Sequence, residues 1–374
     1  MTGTTRRLAS VMAVGAVAAL TGCSGFFVPV VPLPPGSTGN YVYVANSTTG
    51  TVSGFSAGTG TLTGVPGSPL TLGYTPQAMV VTRDNKFLYV AAPGNINVYT
   101  INSDGSLSAA SGGTGVAIAN VVSMDVSPDG QWLLALDATP LVAQVDVFQI
   151  NSSTGALASF TPATWAIPNA VLVPTTLRIS PNGALVFAAL GTGGDAVFSF
   201  DTTAGALTNS QLLSVGSSTS DNGLAVDGTT THLYIARSGT GGGVRVFTIG
   251  TGGVLNEISG SPYDSGGQAF SVVLANTGSY LYAANRANGT IYGYSVGTGA
   301  TLTPLSGSPY GSGTQVTALG TDSSGKYLLA AAFGGTPDLS MYSIDTASPG
   351  KLILANSTTT GTDPTGPVAV ALTH

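Results

Sequence analysis

One cysteine, two histidines and a single glutamate are all that 374 residues hold of the side chains most used in covalent, metal and acid–base chemistry. The lone Cys23 cannot close an internal disulfide. No Cys/His spacing suits a metal, no glycine-rich loop opens a helix for a phosphate, and there is no Gly-x-Ser-x-Gly. The expectation is therefore no metal site and no cofactor. Charge is scarce too: charged residues make up 7% of the chain, 10 basic against 16 acidic. So few Lys and Arg cannot form a basic face, which excludes nucleic acid as a partner. The one long apolar run, residues 8–20, falls short of the ~20 residues a transmembrane helix needs. What is present instead is 53 glycines, many Ser, Thr and Asn, and 43% apolar residues. Those apolar residues recur in strand-like alternation, which excludes disorder.

Arg6 and Arg7 precede the apolar run, which ends in Leu20-Thr21-Gly22-Cys23. A basic start, a short apolar stretch and small residues at the break describe a secretory signal. The last four residues resemble the lipobox of bacterial lipoproteins. That resemblance implies cleavage before Cys23 and lipidation of Cys23, hence a membrane contact through an anchor. Two or three acyl chains, at about 0.8 kcal/mol per buried methylene, hold a protein firmly at a bilayer. Ser24 rather than Asp after the cysteine favours an outer membrane or the cell surface over the cytoplasmic membrane. Residues 23–39 then carry Pro29, Pro32, Pro34 and Pro35, a semi-stiff tether. The reading is thus 1–22 signal peptide, 23–39 lipidated cysteine and tether, and 40–374 one folded domain in the cell envelope. Without Arg6 and Arg7, 8 basic residues face 16 acidic ones, a formal charge of −8.

Internal repeats decide the fold. An apolar strand, a short polar turn and a second strand with aromatic or branched residues recur along the chain, as in Met79 to Val90 and around Ser127-Pro128-Asp129-Gly130 and Ser180-Pro181-Asn182-Gly183. From Val81 the anchors fall at Val126, Ile179, Val226, Leu274 and Thr321, in steps of 45, 53, 47, 48 and 47 residues. Each step suits one four-stranded blade. A third alternating strand follows each anchor, then a Gly-x-Leu turn such as Gly105-Ser106-Leu107 or Gly155-Ala156-Leu157. Three copies end in Gly-Ser-Pro, at 67–69, 260–262 and 307–309.

Six anchors give six blades. The seventh begins at Tyr41 to Asn46, a second strand with no first strand before it, and its missing inner strand fits Pro367 to Leu372. The expected fold is all-β: a seven-bladed β-propeller of four-stranded antiparallel blades, closed by a C-terminal strand joining the N-terminal blade. Closure removes the exposed edges of an open array, and the chain is read as a monomer.

Trp132 and Trp165 are the only tryptophans and neither precedes Asp, so the chain lacks the WD40 signature. Tyr-Val-Ala-Asn at 43–46, Leu-Tyr-Ala-Ala-Asn at 281–285 and the Ser-Pro-Asp-Gly turn resemble the bacterial lactonase-like propellers. These are 6-phosphogluconolactonase-like proteins that overlap the repeats named for Tyr-Val-Thr-Asn. The resemblance covers nearly all of 40–374, but strand and turn residues carry it. It implies a lactone hydrolase with histidine, arginine and glutamate at the channel mouth. Here His232 sits beside an opposite-face turn, His374 is beyond the closing strand and Glu257 lies in an outer strand, so that set has no counterpart.

Ligands of propellers bind where loops converge around the channel. On that face lie Asp137, Asp195, Asp221, Arg237, Asp264, Asn285, Arg286 and Asp338. Asp and Asn at strand ends commonly close turns through their own backbone. Arg237 and Arg286 are harder to dismiss, because a guanidinium fork matches carboxylates and phosphates. Asp125 and Arg178 occupy matching positions of adjacent inner strands, either as an ion pair inside the wall or as charges facing the channel. The ligand-binding candidates are therefore Asp137, Asp195, Arg178, Arg237, Asn285 and Arg286. Two function classes follow: an anchored binding module for a glycan, peptide or envelope protein, or a lactonase, whose chemistry needs an acid, base or metal.

Overall fold

The computed structural model describes residues 39–110, 115–138, 143–159, 165–167, 175–216, 218–361 and 370–374. Cys23, the signal segment and the tether lie outside them. Branched and aromatic side chains, which suit a pleated surface, fill the second strand of every repeat. Tyr41–Asn46 and Phe87–Ala92 are buried at every position, because each blade packs on both neighbours.

Seven antiparallel sheets result. In chain order, blade 1 holds Tyr41–Asn46, Thr51–Ser56 and Thr63–Gly64, and blade 2 starts at Ala78–Val81. Blade 3 starts at Val121–Val126, blade 4 at Thr176–Ile179, blade 5 at Thr219–Val226, blade 6 at Ala269–Ala275 and blade 7 at Gln315–Thr321. Each of those starts is the innermost strand of its sheet. Apolar clusters fill the spaces between blades, as where Val42 and Val44 of blade 1 meet Leu329 and Met341 of blade 7.

The inner strand of blade 1 is Val370–Leu372, antiparallel to Tyr41–Asn46 with Val42 opposite Leu372 and Val44 opposite Val370. The seam is the one expected, although Pro367 to Ala369 lie outside the described residues. Thr373 fastens it: its Oγ1 accepts from the Tyr41 amide at 2.8 Å, and its own amide donates to the Tyr41 carbonyl at 3.0 Å. On the loop side, the Thr360 hydroxyl donates to Asn46 Oδ1 at 2.7 Å.

The repeated motifs have repeated jobs. The second-strand tyrosines Tyr43, Tyr89 and Tyr282 each donate to the carbonyl of the turn glycine in the next blade, Gly105, Gly155 and Gly350, at 2.7–2.9 Å. In Gly-Ser-Pro, the glycine takes a positive φ (74°, 89° and 82°) and the chain bulges away from the third strand. The serine oxygen then accepts the strand amide left over, from Gly54, Val246 and Gly293 at 2.9–3.1 Å. At the Ser-Pro-Asp-Gly turn, Ser127 Oγ donates to Asp129 and accepts the Trp132 amide. It is a tight turn, as read from the sequence.

Candidate functional site

Call the face with the loops leading into the inner strands the upper face. The second-to-third-strand loops open there too, after Asn46, Ala92, Ala138, Ala189, Gly239, Asn285 and Phe333. Blades 3, 5, 6 and 7 carry a register shift just inside this face, at Val121/Ser123, Asp221/Gly223, Ala269/Ser271 and Val316/Ala318. A β-bulge leaves one residue unpaired and re-aims the strand; here those residues are Val122, Asn222, Phe270 and Thr317. No residue-type signal in the sequence marked them.

Several candidates hold up this face. Asp137 is 1% exposed and accepts the amides of Asn120 at 2.7 Å and Ala119 at 3.3 Å, closing the loop into its own blade. Asn285 is fully buried; its amide donates to the Ser265 carbonyl and its oxygen accepts from Ala287 and Asn288. Asp338 accepts the amide and hydroxyl of Thr360. Asp264 is exposed and caps the Gly266 amide. All four act through backbone, as strand-end Asp and Asn commonly do.

Blades 4 and 5 bring together Asp195, Asp221 and Arg237. Arg237 lies opposite Asp221 on the neighbouring strand and grips it bidentately, Nε to Oδ1 at 2.6 Å and Nη2 to Oδ2 at 2.5 Å. Burial pulls the Arg237 guanidinium down, but the hydrogen bonds and charge of Asp221 outweigh it and raise it above its ordinary value. Asp195 is 2% exposed, and neither carboxyl oxygen has a hydrogen-bond donor among the described residues. Burial, and then the charge of neighbouring Asp221, raise its carboxyl well above the ordinary carboxylate value. The group is a buried carboxyl beside a clamped one.

Arg286 stands apart. Its side chain is exposed, its guanidinium carbon lies 4.8 Å from the centre of the Phe270 ring, and its Nε donates to Gln315 Oε1 at 3.4 Å. No carboxylate among the described residues forms an ion pair with it. The bulge residue Phe270 is thus a platform holding an open cation at the upper face.

Arg178 is at the other end. The wall ion pair with Asp125 does not form: Asp125 accepts the Val126 and Ile179 amides at 2.9 Å and meets Arg83 at 3.4 Å. Matching positions on adjacent inner strands put Asp125 beside the neighbouring backbone rather than the neighbouring side chain. Arg178 donates to its neighbour's carbonyl, Leu177, and lines the channel with Asp125 and His374. His374, set aside as terminal in the sequence, is held there by two bonds with Asn85. His232 pairs with Asp227 beside the lower turn, and Glu257 pairs with Arg245 on the outer strands of blade 5, near enough to Arg237 to feel its charge.

Residues 191–301 and 225–370 match the family model described as lactonase, 7-bladed beta-propeller. Solved structures share the fold across nearly their whole length. A candidate 6-phosphogluconolactonase of Bacteroides uniformis superposes with a TM-score of 0.72 at 19% identity, covering 89% of this chain and 99% of its own. The periplasmic gluconolactonase PpgL of Pseudomonas aeruginosa gives 0.71 at 17%, covering 90% and 99%. A functionally unknown protein from Desulfotomaculum acetoxidans gives 0.69 at 15%, with the same coverage. No curated protein matches the sequence. The matched residues and the seven closed sheets give one answer for the fold: the chain is a seven-bladed β-propeller, similar over residues 191–370 to the lactonase propellers.

Proposed function

We propose that the protein is an envelope-anchored binding propeller whose upper face takes a partner rich in carboxylates, such as an acidic glycan. The observation that carries this reading is Arg286, an exposed guanidinium laid on Phe270 with no acid paired to it among the described residues. Arginine on an aromatic platform presents several donors in a fixed fork at little entropic cost. The lipobox-like end at Cys23 and the proline tether support display on a membrane. The test is binding of the purified protein to acidic glycans and to isolated envelope, beside Arg286→Ala, with Cys23→Ala followed by cell fractionation. A fivefold or greater loss of binding in Arg286→Ala, and release of Cys23→Ala from the membrane, are expected. Equal binding by both proteins would overturn the site, and membrane retention of Cys23→Ala the anchor.

A second reading, lactone hydrolysis, is favoured by one observation: the buried Asp195 carboxyl, raised well above its ordinary value, beside Asp221. A carboxyl raised by burial can serve as a general acid. Against it, Asp195 is closed to solvent and both oxygens of Asp221 are engaged by Arg237. Turnover on a panel of lactones that disappears in Asp195→Asn would establish this reading over the first.

A further inference from the structure

The channel end opposite the upper face holds a second cation with no acid in salt-bridge contact, this one half-buried in the channel wall. After residue 22 the chain has five arginines. Arg83, Arg237 and Arg245 pair with Asp125, Asp221 and Glu257. Arg286 stands in solvent. Arg178 alone is set in the channel wall without a carboxylate among the described residues in salt-bridge contact.

A guanidinium has five N–H donors and does not give up its charge in a protein. Arg178 uses Nη1 for the Leu177 carbonyl at 2.9 Å. Asp125 acts on Arg178 through its charge without reaching salt-bridge contact; its oxygens accept two amides and Arg83. Removing an arginine from bulk water without a partner is costly. Beside it is a cavity of about 140 Å³, large enough for a few-atom ligand, lined on its polar side by Arg178, Asp125 and His374 and elsewhere by Met79, Met124, Val370 and Leu372. Burial, and then the charge of Arg83, pull the His374 ring below its ordinary value.

We propose that this lower channel end is a binding site for a small aliphatic carboxylate, gripped by the Arg178 fork with its hydrocarbon part against the methionines. The fork matches the two oxygens of a carboxylate. The apolar walls favour a ligand with a short chain over inorganic phosphate, whose charge calls for water on every side. The site is separate from the upper face and stands whether or not that face binds glycans.

Butyrate is the probe. Calorimetric titration of the intact protein should show millimolar binding, weakened at least tenfold in Arg178→Met and by less in Arg178→Lys. Lys326→Met, which removes the same charge from an exposed lower turn, should bind as the parent does. In the unsubstituted protein, the Arg178 Nε–H resonance, assigned through the lysine variant, should shift on adding butyrate and not on adding phosphate. This readout decides the matter even where Arg178→Met does not fold. No butyrate binding, equal binding by Arg178→Lys, a stationary Nε–H signal, or tighter binding of phosphate would each overturn the proposal.

Discussion

Two aspartates set how the protein responds to acid, and both do so through burial. Asp146, on the third strand of blade 3, is pushed up to about 6 by burial, partly offset by the Gln144 amide that donates to both its oxygens. Asp195 is raised in the same direction, by burial first and then by Asp221. A carboxyl with a raised folded pKa binds more protons folded than unfolded, so stability falls as pH rises from the unfolded value, about 4, through the folded one. The melting temperature should therefore drop between about pH 4 and 6 through Asp146, and Asp195, raised in the same direction, should add to the decline. Asp146→Asn and Asp195→Asn should each flatten that slope in melts taken from pH 4 to 8; an unchanged slope in both would refute the assignment. The sequence pointed to Asp195, Asp221 and Arg237 as separate candidates. Their union depended on the register of blade 5, where a bulge at Asp221/Gly223 sets the pairing, and no residue type announces a bulge of this kind.

At the scale of strands and turns, the recurring short motifs were legible as punctuation, while their work was not. Gly-Ser-Pro read as a strand end. In the fold it breaks the outermost strand, and the serine hydroxyl replaces the missing ladder acceptor. Ser308→Ala leaves the Gly293 amide without that acceptor, and a lost hydrogen bond of this kind costs about 1 kcal/mol. For a domain of this size the melting point should fall by roughly 1–3 °C, with the far-ultraviolet spectrum intact. No shift would mean that water replaces the hydroxyl at no cost. The second-strand tyrosines teach the same point. Their aromatic bodies gave away the strand, but the acceptor for each hydroxyl is a turn in the next blade, 62 to 68 residues on.

For the whole molecule the seam matters most. Val370–Leu372 supplies the inner strand of blade 1, and Thr373 makes hydrogen bonds to both the amide and the carbonyl of Tyr41. Removing residues 370–374 bares the edge of blade 1 and the apolar space it shares with blade 7. The expected result is a melting point lower by ten degrees or more, with aggregation through the open edge. A melt equal to that of the intact chain would show that the strand does not close the ring.

Fold class, blade number and the closing strand were all determined by sequence alone, because they rest on local alternation and on a period that needs no partner to be seen. Only the tertiary structure decided which charges answer one another. It turned Asp137 and Asn285 into loop supports, clamped Asp221 with Arg237, buried Asp195 beside them, and kept Arg178 out of salt-bridge contact with Asp125. Those outcomes follow from bulges, burial and the approach of neighbouring blades. Each depends on groups far apart in the chain, and no window of sequence contains them.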